Sequence, residues 1–166
     1  MKSSKIFALA GVTLLAAATL AACSGSGSSA KTEKTFSYIY ETDPDNLNYL
    51  TTGKAATANI TSNVVDGLLE NDRYGNFVPS MAEDWSVSKD GLTYTYTIRK
   101  DAKWYTSEGE EYATVKAQDF VTGLKYAADK KSDGLYLVQE SIKGLDAYVK
   151  GEIKDFAEVG IKALDD

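Results

Sequence analysis

The chain has 166 residues, 43% of them hydrophobic and 25% charged, which are globular values for a one-domain length and exclude wholesale disorder. Its 18 basic and 24 acidic side chains give a net charge of −6, and loss of Lys2 and Lys5 with the first 22 residues brings this to −8; so acidic a chain repels phosphate backbones and is expected to bind no nucleic acid. The sequence holds no histidine and one cysteine, Cys23, which excludes Ser/His/Asp and Cys/His catalysis, His-containing zinc sites and an internal disulfide within these residues.

Residues 1–22 read as a targeting segment. Lys2 and Lys5 make a positive start, residues 6–22 carry no charge and are mostly Ala, Leu and Val, and the run ends in small residues, as in a signal peptide rather than an anchor helix. Leu20-Ala21-Ala22-Cys23 resembles the lipobox of bacterial lipoproteins, in which cleavage precedes the Cys and its sulfur receives a diacylglycerol. A thiol suits that alkylation, and two acyl chains hold a protein on a membrane where one is marginal. The competing reading is a structural Cys in a spanning helix; the four lipobox positions, the apolar run before them and the linker after them favour lipidation. Residues 23–33, which include the run SGSGSSA, form a flexible lipid-anchored linker, and the folded body is expected over residues 34–166.

Along that body, Phe36, Tyr38 and Tyr40 alternate with Ser37 and Ile39 and predict a buried strand, ended at Pro44. Residues 46–57 are irregular. Ile60, Val64, Val65, Leu68 and Leu69 recur at helical spacing, with Asn59 or Thr57 as N-cap. Gly75 marks a turn. Val87, Leu92, Tyr94, Tyr96 and Ile98 alternate on either side of Asp90-Gly91 and predict a β-hairpin, whose apolar face Trp104 is expected to cap. Residues 108–112 read as a polar loop. Ala117, Phe120, Val121, Leu124 and Ala128 predict a second amphipathic helix, broken over residues 129–134, and residues 135–152 carry a weaker helical pattern.

Chemistry-bearing patterns are few. Asp129, Asp133, Gly134 and Glu140 fall at positions 1, 5, 6 and 12 of an EF-hand count, but Lys131 stands where a ligand oxygen belongs, so a solvated turn is the better account. Glu108, Glu110 and Glu111 lack a neighbouring nucleophile or an apolar pocket and read as a charged loop rather than as acid–base catalysts. The 11 tyrosines and 2 tryptophans suit adaptable recognition, although Tyr94 and Tyr96 hold core-like alternating positions. No glycine-rich phosphate loop is present. An enzyme is therefore not expected, nor a cofactor or metal.

Several ordered segments resemble one family. Pro79-Ser80-Met81-Ala82-Glu83-Asp84-Trp85, then Ser88-Lys89-Asp90-Gly91-Leu92-Thr93-Tyr94-Thr95-Tyr96-Thr97-Ile98-Arg99, is similar to the signature of family-5 extracellular solute-binding proteins. Ala102-Lys103-Trp104 and Ala117-Gln118-Asp119-Phe120-Val121 continue it, Asp66-Gly67-Leu68-Leu69 precedes it, and residues 160–166 extend it. The lipobox and the Tyr/Thr-rich body further resemble the oligopeptide-binding lipoproteins of streptococci.

The resemblance implies an α/β fold: the N-terminal part of the first lobe of a two-lobed, type II (oligopeptide-binding) periplasmic-binding-protein fold, incomplete because members are several times longer. It implies a lipoprotein on the outer face of the cell membrane, anchored through diacylglycerol on Cys23, that captures oligopeptides for the permease subunits of an ABC importer. Within the chain it implies ligand-facing roles for Thr52, Lys54 and Tyr136, with Lys54 either meeting a peptide carboxylate or standing as a solvated lysine. The acidic residue that meets the peptide amine in the family lies beyond this sequence, and residues 101–118 are longer and more acidic than the family's short turn there. A cleft needs two walls, so exposed edge strands are expected, and the alternative function is a surface lipoprotein remnant without ligand binding.

Overall fold

The computed structural model describes residues 37–39 and 42–164. The chain divides between Ile39 and Tyr40. Of the first unit, residues 37–39 are described; they belong to no helix or strand, and Ile39 is 99% exposed. Phe36 and Tyr40, which completed the alternating pattern, lie outside the described residues. The three residues between them are exposed and form no strand, which departs from the predicted buried strand.

The second unit opens with an irregular segment and helix α1 (Ala55–Thr61), which starts upstream of both predicted caps and stops well short of Leu69. The predicted helix fails at its C-terminal end for local reasons. Thr61 Oγ1 donates back to Thr57 O at 3.0 Å and Asn63 Nδ2 donates to Asn59 O at 2.7 Å, so side chains compete for the last carbonyls. Val64 and Val65 are β-branched, and Val64 is 78% exposed, so no packing repays its helical cost.

Three antiparallel hairpins follow, each a separate two-stranded sheet. Strands β1 (Leu69–Asn71) and β2 (Phe77–Pro79) pair as Leu69↔Pro79 and Asn71↔Phe77. Asp72 closes their turn by accepting the amides of Tyr74 at 2.8 Å and Asn76 at 3.0 Å on Oδ1. Strands β3 (Ala82–Val87) and β4 (Tyr94–Ile98) form the hairpin read from the alternation, with Trp85↔Tyr96 and Val87↔Tyr94 in register and Gly91 at φ +73° in the turn. Tyr94 is 58% and Leu92 81% exposed, so this alternation does not line a core in this chain.

Trp104 does not cap that face. It belongs to β5 (Lys103–Tyr105), which pairs with β6 (Glu111–Thr114) as Trp104↔Ala113. The predicted 108–112 loop is thus partly strand: Thr106 N–H donates to Glu110 O at 2.9 Å, the turn ends there, Glu111 pairs with Tyr105, and Tyr112 is the extra residue at a bulge in β6. A ladder needs only backbone donors and acceptors, so polar residues enter it when both faces are solvated. Met81 links the first two hairpins, its N–H donating to Gly67 O at 3.1 Å and its carbonyl accepting the Arg99 N–H at 3.0 Å, while Val115 N–H to Ala102 O at 3.0 Å extends the β5–β6 pairing.

Helix α2 (Ala117–Asp129) forms where its periodicity predicts. The break after it includes Lys131 at φ +51°, a left-handed position uncommon for a side-chain-bearing residue. The helical pattern of residues 135–152 resolves into a 3₁₀ turn (Leu135–Leu137) and a short α3 (Leu145–Lys150), because Gly144 before it and Gly151 after it both take positive φ. A second 3₁₀ turn, Phe156–Glu158, follows. The core gathers here: Ala128, Leu145, Phe156 and Val159 are buried together, and Tyr148 meets Phe156 edge-to-face at 5.0 Å.

Candidate ligand-facing site

The irregular segment before α1 is folded on itself by polar contacts. Asn46 Oδ1 accepts the Asn48 N–H at 2.9 Å, Thr51 Oγ1 donates to Asn48 O at 3.1 Å, and buried Thr57 Oγ1 reaches back from α1 to Asn46 O at 2.8 Å. Lys54 pairs with Asp45. The folded segment lies on α2: Asn48 Nδ2 donates to Tyr126 Oη at 3.1 Å. The tip of the segment is Thr52-Gly53-Lys54, where Thr52 Oγ1 accepts the Lys54 N–H at 3.2 Å.

This tip meets the turn after α2. The Gly53 N–H donates to Asp133 Oδ1, and a Cβ built on Gly53 would lie 3.4 Å from Gly134 Cα, so the two segments pass close together. Ser132 Oγ, in a buried side chain, accepts the Gly134 N–H at 3.2 Å and shapes the turn that presents Asp133. Tyr136 stands three residues after Asp133, in the 3₁₀ turn, and is 75% exposed. The fold therefore brings the segments carrying Thr52, Lys54 and Tyr136 together, although Gly53 and Asp133 are 80 residues apart in sequence.

The Asp45 carboxylate, by hydrogen bond and by charge, holds the Lys54 ammonium above its ordinary pKa, with Asp133 adding a smaller effect. Lys54 is thus neither unpartnered nor buried; its side chain is 58% exposed. An exposed pair of this kind exchanges partners at little cost. A carboxylate arriving from solvent could replace Asp45 on Lys54, while Thr52 and Tyr136 offer hydroxyls and an aromatic face.

Sequence reasoning missed Asp45, Gly53 and Asp133 in this arrangement. Asp133 drew attention only through the EF-hand count, and no local signal connects it to Gly53. Of the other acidic positions of that count, Asp129 is engaged elsewhere, accepting from Lys125 and from Tyr148 Oη. Among the described residues no group of three or more His, Cys, Asp and Glu side chains is arranged to hold a metal ion. Glu108 sits exposed in the β5–β6 turn, its carboxyl held below the usual range by the Ser107 hydroxyl first and then by its own amide. Cys23 lies outside the described residues, and no helix among those residues is long and apolar enough to cross a membrane.

Residues 76–166 match the family described as bacterial extracellular solute-binding proteins, family 5 Middle. The chain belongs to this family. The hairpins β3–β4 and β5–β6 and helix α2, whose residues carried the resemblance in the sequence, all lie within the matched span. The chain is 94% identical, over all of its length, to the oligopeptide-binding protein AliA of Streptococcus pneumoniae, of which it spans 25%. It is 70% identical, again over all of its length, to the oligopeptide-binding protein SarA of Streptococcus gordonii, spanning 26% of it. Its fold superposes on the crystal structure of Haemophilus influenzae OppA in complex with the peptide RPPGFSPFR with a TM-score of 0.65 and 29% identity, covering 75% of this chain and 24% of that one. The chain thus spans about a quarter of the length of the curated relatives it matches. It is an α/β domain resembling the N-terminal lobe of the type II, oligopeptide-binding periplasmic fold.

Proposed function

We propose that this chain supplies the opening part of the first lobe of an extracellular oligopeptide receptor that feeds an ABC importer. Oligopeptides are the ligand and the importer's permease subunits the partner. The receptor is a binding protein, with no catalytic step. The observation that carries this reading is the 94% identity, along all 166 residues, to a protein named for oligopeptide binding. Exposed Lys54 and Tyr136 and half-buried Thr52, on adjoining segments, are chemically compatible with it. A lysine on a replaceable counter-ion suits a peptide carboxylate, hydroxyls suit the backbone groups that every peptide shares, and an aromatic face tolerates varied side chains.

In this reading residues 1–22 are a signal peptide, residues 23–33 a linker anchored through diacylglycerol on Cys23, and residues 34–166 the partial lobe on the outer face of the cell membrane. The lipobox and the apolar run before it support the anchor.

Calorimetric titration of the full chain in detergent with a pool of mixed oligopeptides tests the reading. Saturable heat at about micromolar affinity or tighter is the expected result. Silence, together with broad and uncooperative unfolding, would instead favour a surface lipoprotein without ligand binding. The exposure of Leu92, Tyr94, Tyr105 and Tyr112 favours that second reading for the chain in isolation, since apolar faces left in water add nothing to a binding wall.

A further inference from the structure

The contact between Gly53 and Asp133 joins two segments that, among the described residues, no strand pairing or apolar cluster brings together. The Gly53 N–H donates to Asp133 Oδ1, and Gly53 and Gly134 pass close enough that a Cβ on either would meet the other's backbone. On one side, the Asp45–Lys54 pair, the Asn48–Tyr126 bond and the Thr57–Asn46 bond settle the segment ahead of α1. On the other, buried Ser132 and the amide bond of Leu135 to Ser132 O at 3.2 Å settle the turn after α2. Between these two anchored pieces the only hydrogen bond at the tip, among the described residues, is the one Asp133 accepts.

We propose that Asp133 is a positioning residue for the ligand-facing surface: its carboxylate fixes the Thr52–Gly53–Lys54 tip against the turn that leads to Tyr136. The inference rests on the peptide-binding reading above for what the surface is used for, and on geometry alone for how it is held. Gly53 leaves room at the contact for a single further carbon. A Cβ there would just reach van der Waals distance of Gly134 Cα, and a branched side chain would drive the segments apart. Asp133 also lies close enough to Lys54 to act on its charge. The acceptor role and the charge role are separable by substitution: Asp133→Asn keeps an acceptor oxygen and removes the charge, whereas Asp133→Ala removes both.

The test follows exchange of the Gly53 amide by NMR in the full chain and in three variants, with oligopeptide titration of each. Asp133→Ala and Gly53→Val should speed Gly53 exchange by about tenfold or more, while Asp133→Asn keeps most of the protection, and the unfolding midpoint should move little in all of them. In titrations, Asp133→Ala and Gly53→Val should weaken peptide binding by about tenfold, with Asp133→Asn close to the parent. Unchanged Gly53 exchange in Asp133→Ala would overturn the proposal. So would faster exchange accompanied by unchanged affinity. If the parent chain binds no peptide, the functional reading falls for this chain, and the exchange measurements still decide whether Asp133 holds the tip.

Discussion

Trp104 Nε1 donates to Asp119 Oδ2 at 2.9 Å, and the same oxygen accepts the Lys116 N–H at 2.9 Å. Asp119 therefore does two things: it closes the first turn of α2 by satisfying an amide at its start, and it ties that helix to hairpin β5–β6. Its position in the first helical turn also sets negative charge at the positive end of the helix. Asp119→Ala should cost about 1–2 kcal/mol, and Trp104→Phe about 0.5–1.5 kcal/mol. Because both act through one oxygen, a double-mutant cycle in urea should show coupling of about 0.5 kcal/mol or more. Strict additivity would mean the bond is not formed in solution.

The core is concentrated at α2, α3 and the turn that follows, where Leu145 and Val159 have no exposed surface. Leu145→Ala should cost about 2–5 kcal/mol, a large share of the stability of a domain this size. Leu92→Ala, at an 81% exposed turn position, should stay within about 0.5 kcal/mol. Equal effects of the two substitutions in denaturant titrations would contradict the placement of the core.

Asp129 sits between Lys125 and Tyr148, accepting Lys125 Nζ on Oδ2 and the Tyr148 hydroxyl on Oδ1 at 2.6 Å. The Lys125 hydrogen bond first, and the Tyr148 hydroxyl second, hold its carboxyl below the ordinary 3.8. A carboxyl lowered on folding adds stability that is fully present above 3.8 and is lost as pH falls through the lower folded value. The Asp129 hydrogen bond raises Tyr148 above 10.0, so its part of the contact holds below that value and is lost as pH rises through the raised one. Asp129→Asn should flatten the acid limb of a urea-midpoint profile, and Tyr148→Phe the alkaline limb. A profile unchanged by both would count against this contact.

Cys23→Ala should leave uncleaved precursor and abolish acyl labelling, since neither the cut nor the diacylglycerol has a substrate without the thiol. The check is metabolic labelling with a fatty acid, read beside the mobility of the chain on a gel. Retained label and unchanged mature size would refute the anchor.

Elements whose cause is local were legible in the residues. The alternation around Asp90-Gly91 specified β3–β4, and the apolar spacing from Ala117 to Ala128 specified α2. Where side chains compete with the backbone over a few residues, periodicity misled. The Ile60–Leu69 pattern is helical on paper, yet Thr61, Asn63 and two β-branched valines end α1 early and release Leu69 to a strand. Residues 135–152 carry one weak helical pattern, and periodicity does not register the positive φ that Gly144 and Gly151 adopt.

Taken alone, the sequence determined the acidic charge, the exclusion of histidine chemistry, the second hairpin, α2 and the family, because composition, short-range alternation and ordered motifs are properties of neighbouring residues. Only the tertiary structure decided that Gly53 meets Asp133, that Trp104 turns to Asp119 instead of capping β3–β4, and that Tyr94 and Leu92 face solvent. Those outcomes depend on which distant backbone and side-chain groups arrive within hydrogen-bonding or packing distance, and no local pattern encodes a contact across 80 residues.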